Sequence, residues 1–260
     1  MSKLKAVALH FGVSFLVVAT VFTFIFTQWY PAPFFTISGA ASVLPILVGV
    51  DLVLGPLLTA IVYRPGKPSL RFDMTVIAMV QIAALSYGTN VLYQERPQYL
   101  VFAVDRFVML PEKDLVRESA EPIAACESSS SPPCSVIAEI PDDLKAREEL
   151  MMRTLETGVD IERLPEYWIS LASAPERVLE RSEPLSRLIS VDPALEPEVG
   201  DIARRHNASA ESLRYVPVVN KRLQGMALVI DPDSAKTLDV IAVDPWDLQG
   251  DATPQSEQAL

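Results

Sequence analysis

Histidine and cysteine are scarce in this sequence. Only two residues of each type occur among 260. Zinc sites are built from several closely spaced His and Cys ligands, so this scarcity excludes a His-based zinc cluster and the H-E-x-x-H motif. The sequence also contains no P-loop, no G-x-S-x-G turn and no C-x-x-C pair. We therefore expect no catalytic residues, no bound metal and no cofactor, which indicates a protein that is not an enzyme.

Positive charge is also sparse. The chain has 22 Lys and Arg against 33 Asp and Glu, a formal net charge of -11. A nucleic-acid-binding surface needs a dense basic face to replace the counterions of the phosphate backbone, so nucleic acid is excluded as a partner. The charges are unevenly distributed, because residues 1–94 carry a net charge of +3 and the remainder a net charge of -14. This asymmetry excludes a single soluble domain.

Long apolar runs, in contrast, fill the first third of the chain. Residues 6–30 and 74–93 contain no charged side chain, and residues 36–63 contain only Asp51. Because about 20 helical residues cross a hydrocarbon core about 30 Å thick, we predict three transmembrane helices and a lipid bilayer around residues 1–94. A cleaved signal peptide is the alternative for the first run, but its apolar stretch exceeds the about 7–15 residues typical of such signals.

The basic residues of this region predict its orientation. They lie before the first apolar run and in the link between the second and third runs: Lys3, Lys5, Arg64, Lys67 and Arg71. Cytoplasmic loops of membrane proteins are enriched in Lys and Arg, so both segments should be cytoplasmic. Three spans then place everything after residue 94 on the opposite, extracytoplasmic side.

Residues 95–248 predict a small α+β domain. The β-branched and aromatic run at 98–110 predicts one strand, and residues 226–230 and 237–243 predict two strands joined by a turn. Residues 142–156 predict a helix with one apolar face. That face would contain three side chains: Leu144, Met151 and Leu155. A second helix is predicted from the spacing of Leu195, Val199 and Ile202. We expect residues 249–260 to form a flexible acidic tail.

The two cysteines flank a short polar stretch. Cys126 and Cys134 lie within a Ser- and Pro-rich segment, 119–133, which we predict to be a loop. An oxidising compartment would allow them to form a disulfide. Two free thiols and a two-cysteine metal site are the alternatives, although no histidine lies nearby.

Asp51 needs an explanation because it lies near the middle of the second apolar run. It is about 18 Å from Tyr63 at 1.5 Å per helical residue. A charged carboxylate at that depth costs at least about 2.5–3.5 kcal/mol. Three roles remain open: a hydrogen bond to another span, contact with a helix of a partner protein, or a proton or ion relay. The structural role would use the Ser86 and Tyr87 region, Ser14 or Thr20.

Small and polar residues extend the face that contains Asp51. Gly55 and Thr59 follow at i+4 and i+8, a spacing that allows a second helix to approach closely. The predicted partner-binding site therefore comprises Asp51, Gly55, Thr59 and Gln81. A contact inside the helix bundle would explain the same pattern.

Several short motifs occur in a fixed order along residues 1–107. They are Gly49-Val-Asp-Leu-Val-Leu-Gly-Pro-Leu-Leu-Thr59, Tyr63-Arg-Pro-Gly-Lys67, Phe72-Asp73, Gln81, Tyr87-Gly88, Arg96-Pro97 and Val101-Phe-Ala-Val-Asp-Arg-Phe107. Together they resemble the TfpX/TfpZ family of type IV pilin accessory proteins. The terminal hairpin and Asp244-Pro245-Trp246 resemble it more loosely.

The resemblance implies a multi-pass protein of the bacterial inner membrane, with a cytoplasmic N-terminus and a periplasmic C-terminal domain. Its partners would be a cognate type IV pilin and the pilus assembly machinery, and it would support the stability or assembly of that pilin. The family brings no catalytic residues. A membrane-anchored sensor or ligand-binding module that acts through a partner is the alternative function, and a transporter or channel is a more distant one.

Overall fold

The computed structural model describes residues 2–116, 123–127, 132–220 and 222–250, with side chains up to Asp247. The chain divides into two compact units. The N-terminal unit contains residues 2–35 and 39–96, and the C-terminal unit contains residues 36–38 together with the described residues from 97 onward. Residues 119–122 and 128–131 of the predicted loop, and residues 251–260 of the predicted tail, lie outside the described residues.

The N-terminal unit contains three apolar helices, each long and apolar enough to cross a membrane. The first, second and third apolar helices are Lys3–Trp29, Ala40–Val62 and Leu70–Gln94. Each of the first two is built from several helical segments. The first consists of α1 (Lys3–Phe24) and a π-helical turn (Ile25–Trp29). A separate short helix, α2 (Phe34–Ser38), follows it. The second consists of a 3₁₀ turn (Ala40–Ser42), α3 (Leu44–Val48), a π-helical segment (Gly49–Leu54) and α4 (Gly55–Val62). The third apolar helix is a single segment, α5 (Leu70–Gln94).

The second apolar helix begins later than the sequence indicates. The apolar run starts at residue 36, but Phe34–Ser38 forms a separate short helix and the long helix starts at Ala40. Gly39 lies between them with φ +68°, a left-handed conformation that glycine adopts without a steric penalty. Hydropathy is continuous across this glycine, so the apolar run does not reveal the break.

The C-terminal ends of the first and third apolar helices pack together. The rings of Trp29 and Tyr93 meet edge to face, with their centroids 5.1 Å apart. The buried Tyr30 hydroxyl donates to the Leu92 carbonyl at 2.8 Å. At the same end, a Cβ placed on Gly88 would lie 2.3 Å from Leu47 Cδ2, so this glycine allows the second helix to approach the third. The three helices therefore form one tightly packed end.

Eight described strands of the C-terminal unit form one mixed sheet. They are β1 (Tyr99–Ala103), β2 (Arg106–Leu110), β3 (Cys134–Ala138), β4 (Trp168–Ser170), β5 (Glu183–Pro184), β6 (Arg214–Val219), β7 (Gly225–Ile230) and β8 (Thr237–Ile241). The order is β4-β3-β1-β2-β6-β7-β8, and β5 pairs with β6. The pairs β1–β3 and β2–β6 are parallel, whereas the other neighbours are antiparallel. The β7–β8 hairpin confirms the strand pair predicted at the C-terminal end.

The single strand predicted at 98–110 is wrong, because the structure has two antiparallel strands there. β1 and β2 pair so that Phe102 lies opposite Phe107. The turn between them places Val104 at φ +61°, which is rare for a β-branched residue. Asp105 is the one common turn residue at this position, and no Gly, Pro or Asn accompanies it, so residue preferences alone do not divide the run into two strands.

Five α-helices occur among the described residues of the C-terminal unit from 97 onward. They are α6 (Leu144–Thr157), α7 (Pro175–Leu179), α8 (Ser186–Val191), α9 (Glu196–Arg205) and α10 (Pro245–Gly250). On α9, Val199 and Ile202 are fully buried, as the spacing predicts. The apolar face predicted for α6 is wrong, since Leu144, Met151 and Leu155 are all exposed. The buried α6 residue is Leu150 instead, because the sheet selects which side of the helix it covers.

The two cysteines form the disulfide that their context predicts. Cys126 ends a 3₁₀ turn (Ala124–Cys126), Cys134 begins β3, and their sulfur atoms are bonded at 2.01 Å. The bridge fixes part of the predicted loop to the sheet. No group of three or more metal-ligating side chains occurs among the residues that the structure describes.

Removing this bridge should destabilise the C-terminal unit. A disulfide restricts the unfolded chain, and the sequence separation of 8 residues places the expected loss at about 2 kcal/mol for the double variant Cys126→Ser/Cys134→Ser. Hydrogen exchange of the β3 amides in the full-length protein measures this loss. Reductant should accelerate exchange in the wild type and leave the double variant unchanged. Equal exchange with and without the bridge would contradict the expectation.

The turn between β7 and β8 is organised by one carboxylate. Asp231 Oδ1 accepts hydrogen bonds from the Ser234 hydroxyl at 2.7 Å and from the backbone amides of Ser234 and Asp233 at 2.8 and 3.2 Å. These bonds favour the ionised form and lower the pKa of Asp231, the Ser234 hydroxyl having the largest effect. The hydrogen bonds of this carboxylate therefore stabilise a turn whose sequence contains no glycine.

We expect Asp231→Ala to lower the free energy of unfolding by about 1–2 kcal/mol, because the turn loses these hydrogen bonds. A carboxyl group with a lowered folded-state pKa stabilises the fold above its ordinary pKa, and this contribution disappears as the pH falls through the lowered value. Hydrogen exchange at the hairpin, compared with that of Asp231→Asn, tests both points. A difference between wild type and Asp231→Asn that grows on acidification would contradict this assignment.

Candidate functional site

Five polar side chains meet inside the N-terminal unit and connect its three apolar helices: His10, Ser14, Asp51, Thr59 and Gln81. His10 lies 2.8 Å from Gln81 Oε1 through Nε2 and 2.7 Å from Thr59 Oγ1 through Nδ1. Gln81 Nε2 donates to the Asp51 backbone carbonyl at 3.1 Å and to Ser14 Oγ at 3.5 Å. Polar groups remote from water are stable when they pair with one another, and this cluster pairs them across helices.

The helix containing Asp51 explains why Gln81 is needed. Within the π-helical segment Gly49–Leu54 the hydrogen bonds reach back five residues, and the Gly55 amide donates to Val50. The next amide in this register would belong to Pro56, which has no N–H group. The Asp51 carbonyl therefore lacks a donor within its own helix. Gln81 supplies that donor from the third apolar helix.

Gly55 creates the space through which Gln81 reaches this carbonyl. A Cβ at position 55 would lie 2.1 Å from Gln81 Nε2 and 2.7 Å from its Cδ. Any larger side chain would therefore displace the amide. The Gly-Pro pair at 55–56 thus both releases a backbone carbonyl and admits the side chain that satisfies it.

The hydrogen-bond partners determine the orientation of the two rotatable groups. A backbone carbonyl only accepts, so Gln81 turns its amide nitrogen toward Asp51 and its Oε1 toward His10. His10 Nε2–H then donates to Gln81, and Nδ1 accepts from the Thr59 hydroxyl. A neutral imidazole satisfies every one of these contacts.

The Asp51 side chain is the incomplete part of this cluster. It is 4% exposed, and its Oδ2 atom has no hydrogen-bond partner among the described residues. Asp51 lines a groove of about 470 Å³ between the N-terminal halves of the first and third apolar helices. The walls are mainly apolar and include Leu9, Val13 and Val17 on one side and Ala78, Ile82 and Leu85 on the other.

Comparisons with known proteins connect the chain to fimbrial assembly. A family model described as fimbrial assembly protein FimB matches residues 1–39. The chain is 26% identical over 249 residues to a fimbrial assembly protein of serogroup I from Dichelobacter nodosus, covering 94% of this chain and 96% of that relative. A serogroup E1 relative from the same organism is 25% identical over 250 residues, with the same coverage.

A third relative from Dichelobacter nodosus, a fimbrial assembly protein of serogroups C1 and C2, is 33% identical over 114 residues. The alignment covers 43% of this chain and 87% of that relative. This chain belongs to the fimbrial assembly protein FimB family. No solved structure matches it.

The structure brings together all four residues of the predicted site in this FimB-family chain, but it uses them differently. Thr59 is fully buried against His10, and the space beside Gly55 is filled by Gln81. Of the four predicted residues, Asp51 and Gln81 line the groove, whereas Gly55 and Thr59 do not. Within the described residues, the helix face that contains Gly55 and Thr59 is therefore covered by the first and third apolar helices. The groove lies beside this face and is not filled by them.

Two of the contacts expected for Asp51 are wrong. Ser86 and Tyr87 are exposed. The Thr20 hydroxyl donates to the Leu16 carbonyl of its own helix at 2.8 Å. Of the residues considered, only Ser14 joins the cluster, through Gln81 rather than directly to the Asp51 carboxyl. These side chains lie on other faces of their helices, which a comparison of membrane depth does not reveal.

His10 is the residue that sequence reasoning missed. It lies in the second turn of a helix whose charged side chains are Lys3 and Lys5, and its position near the chain start suggests a place at the membrane surface. The structure instead places it against the second and third apolar helices. The signal that could have revealed it is the spacing of His10 and Ser14, which share one face at i and i+4.

The five basic residues used to predict orientation lie at one end of the N-terminal unit. The first and third helices pack together at their C-terminal ends, so their N-terminal ends share the opposite end with the link at 63–69. That end contains Lys3, Lys5, Arg64, Lys67 and Arg71. Lys67 also pairs with Asp73 at 2.6 Å.

Proposed function

We propose that this FimB-family chain is a non-enzymatic accessory protein of the bacterial inner membrane, of the TfpX/TfpZ kind, that supports the stability or assembly of a cognate type IV pilin. The observation that carries this proposal is similarity over 94% of the chain to proteins named for fimbrial assembly. The match includes both structural units, so we extend the role to the whole chain rather than to its apolar helices alone.

The proposed topology follows from the basic end of the N-terminal unit. That end would face the cytoplasm, since Lys and Arg are retained there, and the C-terminal unit would be periplasmic. The Cys126–Cys134 disulfide supports this side, because disulfides persist in oxidising compartments. A pilin consists of a membrane helix and an extracytoplasmic head, so both units would face the corresponding parts of the partner.

Within the membrane, we place the contact with pilin at the level of Asp51 and Gln81. Both residues line the groove, Asp51 as a buried side chain and Gln81 as a half-buried one. Gly55 and Thr59 would contribute by positioning Gln81 and His10 rather than by touching the partner. The periplasmic unit would contact the pilin head, and the pilus assembly machinery would receive the pilin afterwards.

Deletion of the gene tests this function. We expect the cognate pilin to decrease, either in total membrane amount or only as surface fibres, and the wild-type gene to restore it. A fall in total pilin would indicate stabilisation, whereas a fall in surface fibres alone would indicate a role in assembly. If both quantities remain unchanged, the proposal is wrong and a sensor function becomes the better hypothesis.

A further inference from the structure

We propose that the groove between the first and third apolar helices is a docking site for one transmembrane helix of the partner, which places a hydroxyl or amide side chain against Asp51. The identity of that partner as the fimbrial subunit rests on the proposed function. The docking site itself rests on two observations: the buried carboxyl oxygen Asp51 Oδ2 lacks a partner among the described residues, and the residue Asp51 lines this groove.

The surrounding cluster donates no hydrogen bond to this oxygen, and the Ser14 hydroxyl, which accepts from Gln81 at 3.5 Å, does not bond to it either. Both His10 nitrogens have partners, Gln81 uses both ends of its amide, and the Thr59 hydroxyl pairs with His10. A buried polar atom without a hydrogen bond is destabilising, so a missing partner is the simplest explanation. Asp51 is also one of the residues that line the groove. The missing group therefore comes from another molecule that enters there.

The shape of the groove favours a helix over a lipid chain. Its wall on the first helix extends from Ala6 to Val17, about 16 Å or three helical turns. Small side chains at Ala6, Ser14 and Ala78 line it, and such residues let helix backbones approach closely. An acyl chain could fill the apolar part, but it contains no group that hydrogen-bonds to a carboxyl oxygen.

The chemistry at Asp51 determines what the docking helix must present. A hydroxyl or amide group can both donate and accept, so it pairs with the carboxyl group in either protonation state. The rest of the docking face must be apolar, because the groove walls are Leu, Val, Ile and Ala side chains. The partner helix is therefore apolar with one such polar residue at the depth of Asp51.

Photo-cross-linking in native membranes tests this site with the full-length protein. Benzoylphenylalanine would replace Val13 or Ile82 in the groove walls, or Leu16 or Val80 as matched controls outside them. All four side chains are exposed to a similar degree. We expect adducts mapped by mass spectrometry to the membrane helix of the fimbrial subunit at the groove positions, at least about fivefold above the controls.

Three further variants separate docking from folding. Asp51→Leu should lower the adduct yield about fivefold, whereas Asp51→Asn, which retains hydrogen bonding, should stay near wild type. Ile82→Trp should block adducts from Val13 by filling the groove without altering the polar cluster. Ile82→Trp tests the docking site even if the Asp51→Leu protein does not accumulate in the membrane. Equal yields from all these variants, or equal adducts at groove and control positions, would overturn the inference.

The outcomes also distinguish this inference from the proposed function. Adducts only with lipid, in a strain whose fimbriae still depend on the gene, would overturn the docking site and leave the function standing. Adducts that map to a membrane helix of a different identified protein, reduced by Asp51→Leu, would support docking and contradict the proposed partner.

Discussion

Replacing Gly55 with leucine is expected to destabilise the N-terminal unit more than any other change considered. A Cβ at this position already comes within 2.1 Å of Gln81 Nε2, so the amide must leave the Asp51 carbonyl. The loss then includes interhelical hydrogen bonds as well as overpacking between the second and third helices. Together these effects amount to about 2–4 kcal/mol. The amount of protein in the membrane and its thermal unfolding in detergent measure the effect.

Two matched variants separate the causes. Gly49→Ala is the control, because a Cβ there would meet no atom within 4 Å. Gly55→Ala should give an intermediate loss, since it displaces the flexible amide but adds little volume. Gln81→Leu should reproduce the hydrogen-bond part alone. If Gly55→Leu accumulates and unfolds like Gly49→Ala, the polar cluster does not hold the three helices together.

Gly88→Leu is expected to have the next largest effect, about 2–3 kcal/mol from overpacking. A Cβ at Gly88 would lie 2.3 Å from Leu47 Cδ2 and 2.9 Å from its Cγ. Leu47 is itself buried, so it cannot rotate away into open space. The same measurements of protein amount and thermal unfolding apply.

A second substitution checks that this contact is the cause. Leu47→Ala removes the opposing side chain, so the double variant should recover part of the stability that Gly88→Leu loses. Gly12→Ala, at a site with no atom within 4 Å, is the matched control. Additive losses in the double variant would show that Gly88 and Leu47 do not pack against each other.

The apolar helices could be predicted because their physical requirement is simple. A run of about 20 apolar residues is long enough to cross a bilayer, and hydropathy alone identifies it. The break at Gly39 and the turn at Val104 could not be predicted in the same way. Each depends on a single backbone conformation that leaves the surrounding hydropathy unchanged. The buried side of α6 likewise depends on which of its apolar side chains the sheet covers.

The candidate site was only partly predictable for a related reason. Asp51, Gly55, Thr59 and Gln81 are unusual residues within apolar runs, so composition alone indicates that they matter. Their pairing depends on the π-helical register before Pro56, which a regular helix period does not describe. The sequence predicts that Gln81 contacts a partner protein, but this register makes it the hydrogen-bond donor to the Asp51 backbone carbonyl.

Co-purification of pilin with the full-length protein tests the central claim most directly. Tagged wild type and Asp51→Leu would be extracted from native membranes in mild detergent at matched amounts, beside an unrelated three-helix membrane protein. Quantitative mass spectrometry would then measure the cognate pilin in each sample. We expect pilin to be enriched with the wild type and depleted about fivefold with Asp51→Leu. Wild-type enrichment no greater than that of the unrelated protein would contradict a pilin-binding function.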